Sequence, residues 1–447
     1  MSHHYHHRRH IAALITLLLA FWPVVSVLPA SANESKLNAA PLMPLATLER
    51  EARRRVGAKP RVTLAAESSE VFKEIMPLEP LGSANVPNYL RSLAAIPQAV
   101  KPLAYLVTTF LYSGSIAPEV KATMGLRVAQ ITGSPYVAAH MGRVLGASER
   151  GRALLDKVRN DNLAALAPAD QLALSYAETL TRDVNGVSDA DFQKMRALYN
   201  DSQVVEMTMT VAFFNYFTRL CEGLNLPVES WALETPGAVS KPQNFISNYQ
   251  PPVARVALIG DDEISATTAA AMAAKDAAAQ KAGLGLGMAN SQRAMLRAPA
   301  LALAWRGYGA AIREHANTVN RETKLHVSFA VSMLNGCRYC TIHQVLGLRR
   351  LGVDPAKLMA MKKDDASLTA RELTAVQFAR KLTREPASVT DADYNKLRAE
   401  FGEQGALEVL LQTCTFNFMN RFTDGLRLPS EDEAVRVYTE TYGANWH

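Results

Sequence analysis

The feature that most constrains the fold of this chain is an internal duplication. The segment LTRDVNGVSDADFQKMRALYN (180–200) matches LTREPASVTDADYNKLRAEFG (382–402) at an offset of 202 residues. Further matched pairs are spread over both halves, at an offset of 202, or of 203 around residue 336: Asn88 and Asn290, Gly133 and Gly336, Tyr136 and Tyr339, His140 and His343, Glu206 and Glu408, Asn215 and Asn417, Arg219 and Arg421. The match predicts two related units of about 200 residues, an ordinary size for a domain.

The periodicity of both units is helical. Apolar residues recur at i, i+3, i+4 and i+7 in LSYAETLTRDV (174–184) and in VQFARKLTRE (376–385). The runs 204–220 and 406–422 are almost wholly apolar and long enough for buried helices, and 269–283 is an alanine-rich helix pattern. We therefore predict an all-α fold of two tandem helical domains.

The domain boundaries follow from composition. We predict a signal peptide at 1–32, a lead-in segment at 33–65, the first repeat at 66–234, a linker rich in Pro, Ser and Asn at 235–255, and the second repeat at 256–447.

The first 32 residues have the organisation of a secretory leader. Arg8 and Arg9 precede an apolar run, and Ala30-Ser31-Ala32 is a small-residue cleavage site. An uncleaved anchor and a twin-arginine export signal are the alternatives. Cleavage after Ala32 predicts a periplasmic or secreted protein. Without the leader's two arginines, 46 basic residues face 42 acidic ones, an excess too small to indicate a nucleic-acid or membrane-surface partner.

Reactive side chains converge at one place, the tetrad Cys337-Arg338-Tyr339-Cys340 with His343 three residues later. Asn335-Gly336 should end one helix and start another, which places the thiols in a first helical turn with His343 on the same face. A redox-active dithiol, half of a zinc site and an inert disulfide are the alternatives. We favour the dithiol, because no second pair of metal ligands lies nearby and a disulfide across two residues closes a very small loop. No cofactor or metal is expected. In an oxidising compartment the pair would rest as a disulfide.

The first repeat lacks both sulfurs. Ser134 stands in register with Cys337, and Val137 with Cys340. We predict that this repeat is a packing partner and that His140 is structural, with a place in a pocket as the alternative. Of the remaining cysteines, Cys414 should lie in the core, whereas Cys221 is expected to be partly exposed.

Three segments resemble a known family. GCRYCTIHQVLGLRRLGV (336–353) resembles the dithiol helix of the carboxymuconolactone decarboxylase-like superfamily, in its alkylhydroperoxidase D-like branch. Residues 85–106 and 416–429 resemble its opening segment and closing helix. The resemblance implies compact helical units that self-associate, here partly as a pseudo-dimer within one chain. It also implies that Cys340 attacks a peroxide and that Cys337 then forms the disulfide, which an external thiol reductant reopens.

The chain departs from the family at the proton relay. The usual relay His falls at Gln344, one position after His343, and the usual relay Glu falls at Leu325. The nearby candidates for a substitute base are His343, His326 and Glu322, of which we favour His343.

The predicted function is therefore an exported thiol oxidoreductase that reduces a peroxide. A lyase of the decarboxylase-like branch acting on a small organic acid, and a non-catalytic helical scaffold, are the alternatives.

Overall fold

A computed structural model describes residues 41–73, 75, 85–234, 289–363 and 365–443. Within these ranges the regular structure is helical, without a strand, so the predicted all-α fold is confirmed. Short 3₁₀ turns occur at 70–72, 97–99, 163–165, 230–233 and 386–388. The α-helices of the described ranges are α1 Leu45–Arg54, α2 Asn88–Arg91, α3 Val100–Tyr112, α4 Pro118–Thr132, α5 Pro135–Gly146, α6 Glu149–Arg159, α7 Pro168–Arg182, α8 Asp189–Leu198, α9 Asp201–Gly223, α10 Asn290–Met295, α11 Pro299–His315, α12 Arg321–Leu334, α13 Arg338–Arg350, α14 Pro355–Lys363, α15 Ala370–Arg384, α16 Asp391–Gly425 and α17 Asp432–Tyr442.

The helices of the two halves correspond. Helices α2 to α9 of the first half have counterparts in α10 to α16 of the second, and α16 matches both α8 and α9. Gly402 interrupts α16 with non-helical dihedral angles (φ +71°), which divides it at the position where α8 gives way to α9. A positive φ favours glycine there, since a residue with a Cβ would be strained.

The centre of the molecule is the contact between α9 and the second part of α16. Both are buried almost throughout, as their apolar sequences predict. Two glycines let the backbones approach their neighbours. A Cβ added to Gly223 would lie 2.7 Å from Leu410 Cδ1, and one added to Gly425 would lie 2.9 Å from Leu180 Cδ1. One hydrophobic core accordingly includes residues of both halves.

Two buried arginines form reciprocal hydrogen bonds between the halves. Arg219 donates to the Thr383 carbonyl at 2.9 Å, and Arg421 donates to the Thr181 carbonyl at 2.9 Å. Each guanidinium also donates to an asparagine four residues earlier on its own helix. Burial lowers the pKa of Arg219 to about 10 and that of Arg421 well below its ordinary value. This reciprocal arrangement supports our proposal of a duplication folded as an intrachain pseudo-dimer.

The described part of the predicted lead-in segment, residues 41–65, packs against the rest of the described chain. Leu45, Leu48 and Ala52 of α1 are buried in the common core. The predicted signal peptide, the predicted linker at 235–255 and the alanine-rich segment 269–283 lie outside the described residues. No helix within the described ranges has the length and apolar character needed to span a membrane.

Candidate active site

The two thiols lie at the turn between α12 and α13. Gly336 makes this turn with a φ of +69°, and Cys337 is the N-cap residue of α13. The Cys337 sulfur accepts a hydrogen bond from the backbone amide of Cys340, with an N–S distance of 3.3 Å. A sulfur at an N-cap faces the unpaired amides of the first turn, which favour a negative charge. The predicted placement of the pair at the start of a new helix is confirmed.

Both sulfurs are buried beside one hydroxyl group. Cys337 is 0% exposed and Cys340 is 3% exposed. Each sulfur lies 3.4 Å from Thr423 Oγ1 on α16, and both cysteines are free thiols. Burial, together with the hydrogen bond to Cys340 and the charges of Cys340 and Asp424, raises the pKa of Cys337 well above its ordinary value. Cys337 therefore holds its proton until a base takes it.

A carboxyl group stands beside this thiol. Asp424 Oδ2 accepts a hydrogen bond from the Arg338 amide at 3.2 Å. Burial raises the pKa of Asp424 from 3.8 to about 7, and the negative charge of Asp183 adds to the rise. Hydrogen bonds from the Cys337 thiol and from the amides of Arg338 and Tyr339 act in the opposite direction and only partly offset the burial.

A pocket of about 590 Å³ opens next to the start of α13. The first half supplies part of its wall, because Asn185 Nδ2 donates to the Gly336 carbonyl at 3.1 Å. Arg427 donates to Asp189 Oδ1 at 2.9 Å and to the Val187 carbonyl at 3.1 Å. The pocket is lined by Asn185, Arg338, Tyr339, Ile342, Asp424, Arg427, Leu428, Pro429, Ser430 and Val435.

The ring nitrogens of His343 are engaged by groups other than the thiols. Nδ1 lies 2.7 Å from the Tyr339 carbonyl oxygen, and Nε2 lies 2.5 Å from Glu431 Oε2. The His343 ring stacks on Tyr339, whose hydroxyl donates to Glu431 Oε1 at 3.1 Å. Burial would raise the pKa of Glu431, but the hydrogen bonds from His343 and from the Asn290 amide, with the charge of His343, leave it lowered.

The same arrangement occurs in the half without thiols. His140 Nε2 lies 2.9 Å from Glu229 Oε2, and the Tyr136 hydroxyl donates to Glu229 Oε1 at 2.8 Å. The Asn88 amide also donates to Glu229. Because this Tyr–His–Glu arrangement recurs where there is no sulfur, it indicates a structural link between helix and loop. The relay role of His343 stays a prediction.

His326 and Glu322 lie in a different cluster. The described contacts of His326 are with Glu372 Oε1, 3.0 Å from Nδ1, and with Glu322 Oε1, 3.7 Å from Nε2. These three residues have the donor atoms of a metal site, but Lys357 Nζ lies 2.8 Å from Glu322 and 3.1 Å from Glu372. The lysine therefore supplies the positive charge between the two carboxylates. His326 lies eight residues before the end of α12 at Leu334, which is about 12 Å along the helix axis from the end that leads into the thiol turn.

In the first half, an ion pair lies at the place that corresponds to the dithiol. Ser134 caps α5 as Cys337 caps α13, and its hydroxyl donates to Glu222 Oε1 at 2.8 Å. Arg55 lies 2.7 Å from Glu222 Oε2, and Arg61 donates to the Glu222 carbonyl at 2.8 Å. Burial raises the pKa of Glu222, and Arg55 and Ser134 act against that rise.

The prediction for Cys221 was wrong, and the one for Cys414 is confirmed. Both residues are 0% exposed. Cys221 is buried because α9 continues to Gly223, beyond the end of the apolar run at residue 220. Burial raises the pKa of each thiol.

Thr423, Asp424 and Asn185 were missed by the sequence analysis, although all three lie at the dithiol. They are more than 80 residues from Cys340 along the chain, so no local spacing points to them. One signal was present: Asp424 stands in register with Glu222, a second acidic residue at the same place in the repeat.

No curated protein sequence matches the chain significantly. A solved structure of a cysteine-to-alanine variant of the debrominase Bmp8, in complex with 2,3,4-tribromopyrrole, is similar over 37% of this chain and 87% of that chain, with 22% identity and a TM-score of 0.33. A likeness of this strength says nothing about activity.

A family model matches the segment that carries the dithiol. Residues 299–381 match the model described as the carboxymuconolactone decarboxylase family. The match begins with α11 and ends within α15, so it includes the turn at Gly336 and both thiols. The resemblance to this family inferred from the sequence is thus confirmed for residues 299–381. Residues 299–381 are similar to the carboxymuconolactone decarboxylase family, with Cys337 and Cys340 near the middle of the matched segment.

Proposed function

We propose that this protein is a dithiol oxidoreductase that reduces a peroxide through Cys340 and Cys337. The observation that carries the proposal is the position of the two free thiols. They share one helical turn and contact the same Thr423 hydroxyl at 3.4 Å. The residues between them, Arg338 and Tyr339, line a pocket of about 590 Å³. Two thiols in one turn can close a disulfide without a large movement of the backbone.

Cys340 is the thiol that meets the substrate. It lies within α13, 3% exposed, whereas Cys337 is wholly buried at the N-cap. The Cys340 thiolate attacks one peroxide oxygen, the O–O bond breaks, and the departing alkoxide or hydroxide takes up a proton. The sulfur is oxidised to a sulfenic acid and the peroxide is reduced to an alcohol or water.

Cys337 then completes the reaction. Its sulfur attacks the Cys340 sulfenic acid, an S–S bond forms, the S–O bond breaks, and water leaves. A soluble or protein-bound thiol must return the disulfide to two thiols before the next turnover. We further propose that the mature protein works in the periplasm or outside the cell, where such a reductant has to be supplied.

A thiol titration tests this function. In denaturant, the reduced mature protein should present four reactive thiols, since all four cysteines are free. After one equivalent of hydrogen peroxide or cumene hydroperoxide it should present two. Cys340→Ser should consume no peroxide, whereas Cys337→Ser should consume one equivalent and retain a sulfenic acid that dimedone traps. Four thiols after treatment with peroxide would overturn the peroxidase and leave the lyase alternative.

A further inference from the structure

We propose that Asp424 is the catalytic base and acid for Cys337: it takes the thiol proton as Cys337 attacks the Cys340 sulfenic acid and delivers that proton to the departing hydroxyl. This inference deepens the proposed function and rests on it. It gives the dithiol the proton carrier that the sequence lacks at Leu325 and Gln344.

The contacts around Cys337 single out this carboxyl group. Asp424 follows Thr423, which contacts the Cys337 sulfur at 3.4 Å, directly on α16. Its Oδ2 accepts a hydrogen bond at 3.2 Å from the amide of Arg338, the residue after Cys337, and its charge acts on the Cys337 thiol. It also lines the pocket. His343 and His326 are held by Glu431 and Glu372 instead.

The chemistry of the step balances with this one group. The Cys337 proton moves to the Asp424 carboxylate, the Cys337 sulfur bonds to the Cys340 sulfur, and the S–O bond breaks. The hydroxide that would leave takes the proton from Asp424 and departs as water, so Asp424 ends ionised as it began. No further oxidant is required, because the peroxide has already oxidised Cys340.

The surroundings of Asp424 suit a group that gains and loses a proton near neutral pH. Burial brings its pKa to about 7, close to the value at which a base and its conjugate acid are both available. The other titratable groups facing it are Cys337 on α13 and Asp183 after α7. Arg338 and Arg427 line the same pocket.

Rapid mixing of the reduced protein with cumene hydroperoxide tests this role. Dimedone labelling follows the sulfenic acid, and loss of the second thiol follows the disulfide. Asp424→Asn should form the sulfenic acid at the parent rate but close the disulfide about 10²-fold more slowly, the usual effect of losing a general base. Asp424→Glu should recover most of that rate. The rate of closure in the parent should rise with pH to a plateau above about pH 7, an inflection that Asp424→Asn should lose.

The matched control is Glu222→Gln, which changes the equivalent carboxyl group in the half without thiols. It should leave both rates within about twofold, if circular dichroism shows that it is folded. A parent that forms no sulfenic acid would defeat the proposed function. A parent that closes its disulfide, with a folded Asp424→Asn that closes it equally fast, would overturn the role of Asp424 alone.

Discussion

The two halves build the same turn and fill it differently. In the first half Ser134 and Val137 occupy the positions of the sulfurs, and the buried Glu222 is neutralised by Arg55. In the second half the sulfurs are present, and the buried Asp424 has no ion pair of that kind among its described contacts. Arg55 opposes the rise that burial causes in the pKa of Glu222, whereas burial raises the pKa of Asp424 to about 7.

The difference between the halves separates structural features of this fold from candidate catalytic ones. The Tyr–His–Glu arrangement, the reciprocal arginines and the asparagines that hold them occur in both halves. Features that occur irrespective of the thiols serve packing and the position of the turn. Features confined to the second half are the ones to which we assign chemistry: the dithiol, Thr423, and an acid, Asp424, without the ion pair that Arg55 gives to Glu222.

The largest expected effect concerns the sulfur positions. Cys340→Ser and Cys337→Ser should each abolish peroxide turnover with a thiol reductant, because neither can complete the disulfide cycle. Ser134→Ala combined with Val137→Ala should reduce turnover less than about tenfold, which corresponds to about 1.4 kcal/mol of barrier. The measurement is steady-state peroxide consumption. A folded double variant of the first half that loses activity would show a second working site.

Much of this comparison could be predicted from the sequence. The offset of 202 to 203 residues places Ser134 with Cys337 and Val137 with Cys340, and the helical period gives the fold. The rest depends on contacts between distant segments. Arg55 comes from α1's C-terminal end, and Asp424 meets Cys337 only because α16 packs against α13. Periodicity and spacing describe one helix at a time, so they do not contain these contacts.

The second prediction concerns the ion pair between Arg55 and Glu222 in the first half. Arg55→Met should lower the free energy of unfolding by about 3 kcal/mol at neutral pH, because it leaves the buried Glu222 without its partner. The loss should shrink towards acidic pH, where Glu222 takes up a proton. Urea unfolding at two pH values measures both. Equal losses at both would mean that Arg55 contributes through packing rather than charge.

Asp424, for which no ion pair is described, should give stability the opposite pH dependence. The pKa of Asp424 is raised to about 7 in the folded protein from an ordinary 3.8. The folded state therefore keeps the proton longer than the unfolded state, and this contribution to stability is complete below about pH 4 and lost as the pH rises to about 7. Asp424→Asn should remove that pH dependence and stabilise the reduced protein at pH 8, by on the order of 2 kcal/mol. An unfolding free energy that differs from the parent's by a constant amount at every pH would show that the carboxyl group does not titrate in this range.

The next prediction compares His140 of the first half with His343 of the second half. If each fastens its helix to the following loop, His140→Ala and His343→Ala should destabilise the protein by similar amounts, about 2 kcal/mol for a charge-assisted hydrogen bond. Turnover and the pH dependence of Cys340 alkylation should stay close to those of the parent at a temperature where both are folded. A loss of turnover of about 10²-fold or more confined to His343→Ala would instead establish the relay role predicted from the sequence.

The smallest expected effect on activity concerns the contact between Asn185 of the first half and the thiol turn of the second half. Asn185 donates to the Gly336 carbonyl at 3.1 Å, and at the equivalent place in the first half Ala387 lies against Gly133, where an added Cβ would be 3.0 Å away. Asn185→Ala removes one solvent-exposed hydrogen bond from the turn that carries the thiols, so it should cost about 0.5–1 kcal/mol and lower kcat/KM two- to fivefold. Ala387→Asn is the matched change, since Ala387 of the second half lies against the Gly133 turn of the first half. It should affect stability alone, because the turn at Gly133 carries no sulfur. If Asn185→Ala lowers stability but leaves kcat/KM unchanged, the loop that carries Asn185 has a packing role and is not part of the active site.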